Sequence, residues 1–322
     1  REVFTTPSIG IAFSSGGYDH PDEMLRHADA AMYEAKRRGK ARYEVFESSM
    51  SASAIHRLEI ENDLRRALQK GEFLLHYQPK WDLETDSIAG FEALVRWMHP
   101  QRGLVPPNEF IPIAEETGLI VPLGFQVLKT ACMQAKIWST CIARPLTMAV
   151  NVSARQLQLP EIVPLIAQVL EESEFSPHCL ILEITESSIM ERTGDMLDTL
   201  NALKSLGVRL AIDDFGTGYS SLAYLRSFPF DYLKIDRQFV TNVHEEGGNG
   251  VIVSSMITLA HALNLLVIAE GTEQIEEVAH LKHLGCDMAQ GYYFGRPLPA
   301  NEMELKLGFQ VGGVVTASVG GK

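Results

Sequence analysis

From residue 73 onward, short apolar runs alternate with helical patterns roughly every 25 to 35 residues, and this rhythm limits the fold more than any other feature. The spacing predicts strands at 73–79, 88–97, 146–153, 180–185, 208–213, 232–235, 265–270 and 288–294. Helical periodicity fills 108–116, 121–138, 160–172, 193–206, 221–227, 251–263, 275–284 and 300–307. Eight strands with helices between them close most economically into a (β/α)8 TIM-like barrel. An open doubly wound sheet is the alternative, but it usually carries a glycine-rich phosphate loop after its first strand, and none stands here.

Residues 1–47 are a smaller α/β piece. A strand is expected at 7–13, a turn at Gly16 and Gly17, a helix at 21–38 and a second strand at 41–46. Such a piece buries little core alone. Residues 48–70 read as an amphipathic linker helix, with Ile55, Leu58, Leu64, Ala67 and Leu68 on one face. The chain begins at Arg1 in mid-pattern, so a longer parent protein is expected. The tail 308–322, rich in Gly and Val, is expected to be disordered.

The net charge of −13 argues against nonspecific binding to nucleic acid or anionic membrane, so a phosphate ligand would need local cations or metal. Cys132, Cys141, Cys179 and Cys286 are scattered without a C-x-x-C pair and read as reduced, buried residues. No apolar run reaches the ~18 to 20 residues of a membrane span. A cytoplasmic chain without membrane contact of its own is expected.

The residues that carry chemistry sit at strand ends. The stretch LAIDDFGTGYSSL, residues 210–222, ends an apolar run in adjacent carboxylates, Asp213 and Asp214, before a glycine-rich loop and hydroxyl caps at Ser220 and Ser221. Two like charges at the end of a buried strand raise the cost of ionising each other, and a divalent cation removes that cost. A solvated Asp-Gly turn is the plainer reading of that stretch alone. Period-two alternation places Glu92, Leu94 and Arg96 on one face, and Ala149, Asn151 and Ser153 on another. Glu183 lies in an otherwise apolar strand, Lys234 and Asp236 share a face, Glu270 ends the seventh strand, and Gln290 stands on the eighth. Glu92, Asn151, Glu183 and Asp213 can offer four oxygen ligands to one hard metal, and Asp213 with Asp214 can reach a second. Without histidine or cysteine in the set, Mg2+ or Mn2+ is favoured over zinc. Arg96 is able to clamp a phosphate and Lys234 to hold or polarise water, although both could simply neutralise nearby carboxylates. The chemistry reached is metal-dependent hydrolysis of a phosphodiester or phosphomonoester.

The motifs Glu92-Ala93-Leu94-Val95-Arg96, Asn151-Val152-Ser153, Leu182-Glu183-Ile184-Thr185-Glu186, Leu233-Lys234-Ile235-Asp236, Glu270-Gly271-Thr272-Glu273 and Gln290-Gly291-Tyr292, together with 210–222, closely resemble the EAL family of cyclic di-GMP phosphodiesterases. The resemblance covers about 58–307. Before it, Ser8-Ile9-Gly10-Ile11-Ala12 and the stretch 28–46 look like the C-terminal end of a GGDEF diguanylate cyclase domain, without the cyclase signature, so no cyclase activity is expected. The family implies hydrolysis of cyclic di-GMP to the linear dinucleotide pGpG by two-metal in-line attack of water, with Mg2+ or Mn2+, and inhibition by Ca2+. It implies Glu92, Asn151, Glu183, Asp213 and Asp214 as metal ligands and Lys234 and Glu270 as catalytic. Gln78, Leu94, Arg96, Asp236, Glu273 and Gln290 match substrate contacts, and Glu186 matches a residue that pins the loop after Asp214. A homodimer and upstream GGDEF or sensor domains are also implied. Departures are Thr272, Gln274 and Trp81, none of them a ligand. The rival readings are a catalytically silent cyclic di-GMP receptor and a structural dimerisation module.

Overall fold

The computed structural model describes residues 6–14, 20–37, 39, 41–141, 145–190, 193–217, 222–245 and 247–308. The chain divides into two compact units, Arg1–Gln69 and Lys70–Lys322. In the first, β1 (Ile9–Ile11) and β2 (Tyr43–Val45) pair in parallel. Parallel neighbours need a crossover, which the helix Pro21–Arg37 supplies, and its Ala31 and Ala35 are fully buried. The helix Ser48–Lys70 follows. The turn expected at Gly16 and Gly17, the caps at Ser220 and Ser221, and residues 309–322 of the tail lie outside the described residues.

The second unit holds β3 (Phe73–Asp82), β4 (Ser87–His99), β5 (Gly103–Val105), β6 (Thr147–Asn151), β7 (Leu180–Thr185), β8 (Arg209–Phe215), β9 (Tyr232–Ile235), β10 (Leu266–Glu270), β11 (Met288–Gln290) and β12 (Leu298–Pro299). Eight of these close a ring in the order β3, β4, β6, β7, β8, β9, β10, β11 and back to β3. Short β5 extends β4, and β12 pairs with β3. The eight-stranded barrel is therefore as expected, but its strands are not uniform. From β4 to β11 every neighbour is parallel, whereas β3 runs antiparallel to both β4 and β11.

The uniform alternation of strand and helix from residue 73 thus needs correction, and the reason is chain length. Only residues 83–86 join β3 to β4, while a parallel return takes a dozen or more. Asp82 Oδ1 accepts the N–H groups of Glu84 and Thr85, at 3.0 and 2.8 Å, and Asp86 adopts a left-handed φ of 50°. A tight hairpin is the only solution that short a link allows.

Elsewhere helices carry the chain between parallel strands: Pro107–Thr117 and Ile120–Ser139, Ile162–Ser173, Thr193–Ser205, Leu222–Ser227, Gly250–Ala262 and Ile275–His283, with Ala300–Leu307 closing the unit. Three short helices escaped the periodicity reading: Ala154–Leu157, Glu186–Met190 and Arg237–Val240. Each leaves a strand end directly, and four or five residues are too few to show a period.

Inside the ring, Ala149, Ile181, Ala211, Tyr232 and Ile268 form one buried cluster, with Met288 against it. Each stands two residues before a polar residue of the same strand: Asn151, Glu183, Asp213, Lys234, Glu270 and Gln290. The pleat therefore stacks a polar layer at the C-terminal mouth directly above an apolar one.

Candidate active site

Lys234 is the centre of the polar layer. Its ammonium lies 2.7 Å from Glu183 Oε2, 2.7 Å from Glu270 Oε1, 3.1 Å from Asp213 Oδ1 and 3.9 Å from Glu92 Oε2, and the side chain is 1% exposed. Burial opposes its charge, yet Asp213, Glu183, Glu270 and Glu92 together outweigh burial and hold it well above the ordinary lysine range. Lys234 is a fixed cation.

Glu92 is oriented by two amides. Asn151 Nδ2 donates to Glu92 Oε1 at 2.7 Å, and Gln290 Nε2 donates to Glu92 Oε2 at 2.6 Å. Gln290 Nε2 also lies 3.1 Å from Gln78 Oε1, and Gln78 Nε2 donates to the Gly295 carbonyl. Burial alone would raise Glu92, but Lys234 and these amides keep it below the usual carboxylate value. Glu183 goes the other way, pushed well up by burial and by Glu92.

Asp213 and Asp214 would face opposite sides of a regular strand. The β8–β9 register breaks between Ile212 and Phe215, and Asp214 takes a left-handed φ of 55°. That bulge re-aims the second carboxylate, a common device beside active sites. As a result one oxygen each from Asp213, Asp214 and Glu270 lies within 4.8 Å of the others. Burial and Asp213 raise Asp214, and burial lifts Glu270 to about 8 despite Lys234. Carboxylates this close resist full ionisation unless a cation joins them. Five acids, Glu92, Glu183, Asp213, Asp214 and Glu270, thus crowd around Lys234, and their all-oxygen donor set fits a hard divalent cation.

A cavity of about 280 Å³ opens over this layer. Gln78, Glu92, Leu94, Asp213, Lys234, Glu270, Glu273 and Gln290 line it, so eight of the residues named from sequence share one space. Asn151 and Glu183 join through their bonds to Glu92 and Lys234. Arg96 is placed differently. It donates to its own strand at the Val95 carbonyl and lines an adjoining cavity of about 260 Å³ with Leu94, Asn151 and Thr185. Asp236 caps the helix Arg237–Val240 by accepting from Gln238 N at 2.9 Å, and it does not line the central cavity. Glu186, buried, accepts from Gly216 N at 3.0 Å and so ties down the chain just after Asp214.

Arg237, Glu277 and Lys80 belong to the site or its supports but are not among the residues expected from sequence. Arg237 lines the cavity and pairs with Glu273 at 2.9 Å. Glu277 is buried and accepts three backbone N–H groups, from Asn242, Glu273 and Gln274. Gln274, a noted departure, completes the capping box with Glu277 at the start of its helix. Lys80 is fully buried on β3, where burial drops it to about 8. Its signal was available: it follows Gln78 by two and so shares that residue's face. The loop after β10 is held against β11 by Thr272, whose N–H donates to the Gln290 carbonyl and whose carbonyl accepts from Tyr293. A Cβ on Gly291 would come within 2.0 Å of the Thr272 carbonyl oxygen, so only glycine permits this approach. Trp81 stacks on Phe294 with ring centroids 5.3 Å apart.

The EAL domain profile matches residues 61–297, well over half of the chain. The chain belongs to the EAL domain family. Ahead of the EAL domain, residues 1–42 match the diguanylate cyclase GGDEF domain. The chain is 43% identical over 303 residues to the bifunctional diguanylate cyclase/cyclic di-GMP phosphodiesterase MucR of Pseudomonas aeruginosa, covering 94% of this chain and 44% of that protein. It is 41% identical to the cyclic di-GMP phosphodiesterase PdeR of Escherichia coli, covering 94% of this chain and 46% of PdeR. It therefore spans less than half the length of these relatives. Among solved structures, the PaMucR phosphodiesterase in complex with c-di-GMP superposes with a TM-score of 0.73 at 42% identity, over 76% of this chain and 99% of that one. No helix among the described residues is long and apolar enough to cross a membrane.

Proposed function

We propose that the EAL domain hydrolyses one phosphodiester bond of cyclic di-GMP, giving linear pGpG, with Mg2+ or Mn2+. The observation that carries the reading is the convergence of Glu92, Glu183, Asp213 and Glu270 on one buried lysine, beside the Asp213–Asp214–Glu270 cluster. Glu92, Asn151, Glu183 and Asp213 would hold one cation, and Asp213 and Asp214 would reach a second, with Glu270 alongside. When bound, the cations neutralise charge at the phosphoryl group and acidify water.

The remaining work falls to this chain's own side chains. Gln78, Leu94, Glu273 and Gln290 shape the cavity that receives the dinucleotide, and Arg96 clamps phosphate from the adjoining one. Lys234, held protonated, orients the attacking water beside Glu270. Lys234 occupies Glu270 Oε1, which leaves Oε2 to take the water's proton. Burial raises Glu270 above the usual carboxylate range, which makes its ionised form a stronger base than an ordinary carboxylate. The water oxygen bonds to phosphorus, the ester bond to the 3′ oxygen breaks, and that oxygen takes a proton from solvent at the open mouth.

The test is turnover of cyclic di-GMP with Mg2+ or Mn2+, following pGpG, alongside calorimetry in Ca2+, which is expected to permit binding and block turnover. Binding without turnover in any of the three cations would make the chain a receptor instead.

A further inference from the structure

The layer beneath the acidic residues is apolar at Ala149, Ile181, Ala211, Tyr232, Ile268 and Met288. On β4 the corresponding position, two before Glu92, is Gly90. β3 runs the other way, so its position below Gln78 is two residues later, at Lys80. A lysine therefore stands in a layer otherwise built of apolar side chains, one phenol and a glycine. Its backbone is level with Gly90 on one side and with Gln290 on the other. The side chain is 0% exposed, and Nζ makes no hydrogen bond to protein.

A buried ammonium of this kind is costly unless something answers it. The groups whose charge acts on Lys80 are Glu183 first, then Lys234, Glu92 and Glu270, all from the layer above. Two other buried atoms of that layer also lack a protein partner: Glu183 Oε1 and Gln290 Oε1. Glu183 uses its other oxygen on Lys234, and Gln290 uses its Nε2 on Glu92 and Gln78. One cation with three donors and two acceptors are thus buried without protein partners in the same region of the barrel. A single water that accepts one N–H of Lys80 and donates to both oxygens would give each of the three groups one partner.

We propose that Lys80 is a positioning residue of the acidic site, which holds Glu183 Oε1 and Gln290 Oε1 from below through one buried water and so fixes the carboxylates that face the mouth. The proposal rests on the metal-site reading above, and it deepens that reading from the mouth to its floor. Partners behind a ligand typically tune metal affinity by about 10- to 100-fold. Lys80 touches no substrate, so it acts through Glu183 and Gln290.

The experiment titrates Mn2+ alone, without substrate, into wild type, Lys80→Met and Lys80→Gln by calorimetry, with thermal unfolding in chelator to verify folding. Lys80→Met should bind Mn2+ about tenfold more weakly, while Lys80→Gln, which keeps a donor but no charge, should recover to within about threefold. Affinity in Lys80→Met equal to or tighter than wild type would overturn the proposal, as would equal losses in both variants. If Lys80→Met does not fold, a crystal structure of the wild type decides. Density for a water shared by Lys80 Nζ, Glu183 Oε1 and Gln290 Oε1 supports the assignment, and a Lys80 directed away from Glu183 overturns it. Failure of the wild type itself to bind Mn2+ would count against the proposed function, while the water remains to be judged by the crystal structure.

Discussion

Two layers of side chains, two residues apart along the same strands, fill the inside of this barrel, and they serve opposite ends. The lower one, Ala149, Ile181, Ala211, Tyr232 and Ile268, is buried hydrocarbon with one phenol and supplies the ordinary driving force for folding. The upper one, Asn151, Glu183, Asp213, Lys234 and Glu270, gathers charges that folding would rather leave in water. Strand geometry makes the switch from one to the other abrupt. A single pleat separates a residue that holds the fold from one whose buried charge costs stability.

If that division is right, variants in the two layers must fail differently. Glu92→Ala and Lys234→Ala should each lower turnover of cyclic di-GMP by roughly 10³-fold or more. For Glu92→Ala the fold should survive, since Asn151 and Gln290 can turn to solvent in the cavity. For Lys234→Ala the loss should fall on kcat far more than on ligand affinity. Steady-state kinetics with circular dichroism and calorimetry would check both. Full activity in Glu92→Ala would remove that carboxylate from the site.

Ile181→Ala, one pleat below Glu183, should do the reverse. Truncating a fully buried Ile should cost about 2–5 kcal/mol of stability. Mn2+ affinity of the folded fraction should stay within about threefold of wild type. Denaturant unfolding and metal titration would show it. A variant that unfolds normally yet loses its metal would dissolve the distinction between the layers.

Much of this division is legible in the sequence. Apolar runs ending in Glu92, Asn151, Glu183, Asp213, Lys234 and Glu270 gave both the strands and the polar layer, because a period of two leaves little choice of face. What escaped depended on geometry that period cannot carry. The direction of β3 is set by a four-residue link, and counting that link would have revealed the hairpin. That Asp213 and Asp214 both turn inward depends on a bulge and a positive φ at Asp214. The placement of Arg96 in the adjoining cavity and the capping by Asp236 are likewise tertiary outcomes. Glu277 was invisible because a buried carboxylate that serves only backbone N–H groups reads, in sequence, as one more charge on a helix.

The charged layer should also show itself in pH dependence. In the metal-free protein Glu270 is raised from the ordinary carboxylate value to about 8, so the folded state binds that proton more tightly than the unfolded state does. Stability from this group is therefore greatest in acid and falls as pH rises through the window up to 8. Asp214 and Glu183, also raised, act in the same direction, while the contribution of Glu92, held low, is already complete above the ordinary carboxylate value. Lys80, lowered to about 8, is penalised below that pH and relieved as pH rises toward its unfolded value near 10.5. Together these place a minimum near pH 8. In chelator, the melting temperature should be about 5 °C lower at pH 8 than at pH 5.5. Mn2+ should raise it more at pH 8 than at pH 5.5. A melting temperature that rises steadily from pH 5.5 to 8 in chelator would show that the acids are already compensated without metal.

The smallest effect tests whether the layer's rim is held from outside the barrel. Glu277 Oε1 accepts from Asn242 N, and Oε2 accepts from Glu273 N and Gln274 N, so one carboxylate joins the loop after β10 to the turn at Asn242. Glu277→Gln keeps one oxygen acceptor and turns the other into a donor facing an N–H. The retained oxygen can still serve two of the three groups, so about 1–2 kcal/mol of stability should be lost. Glu270 lies before this loop and is held independently by Lys234, so turnover should change by no more than about threefold. Ligand affinity should weaken more than kcat, because Glu273 and its partner Arg237 border the cavity. A hundredfold fall in kcat in a stably folded Glu277→Gln variant would mean that the loop, and not Lys234, sets the position of Glu270.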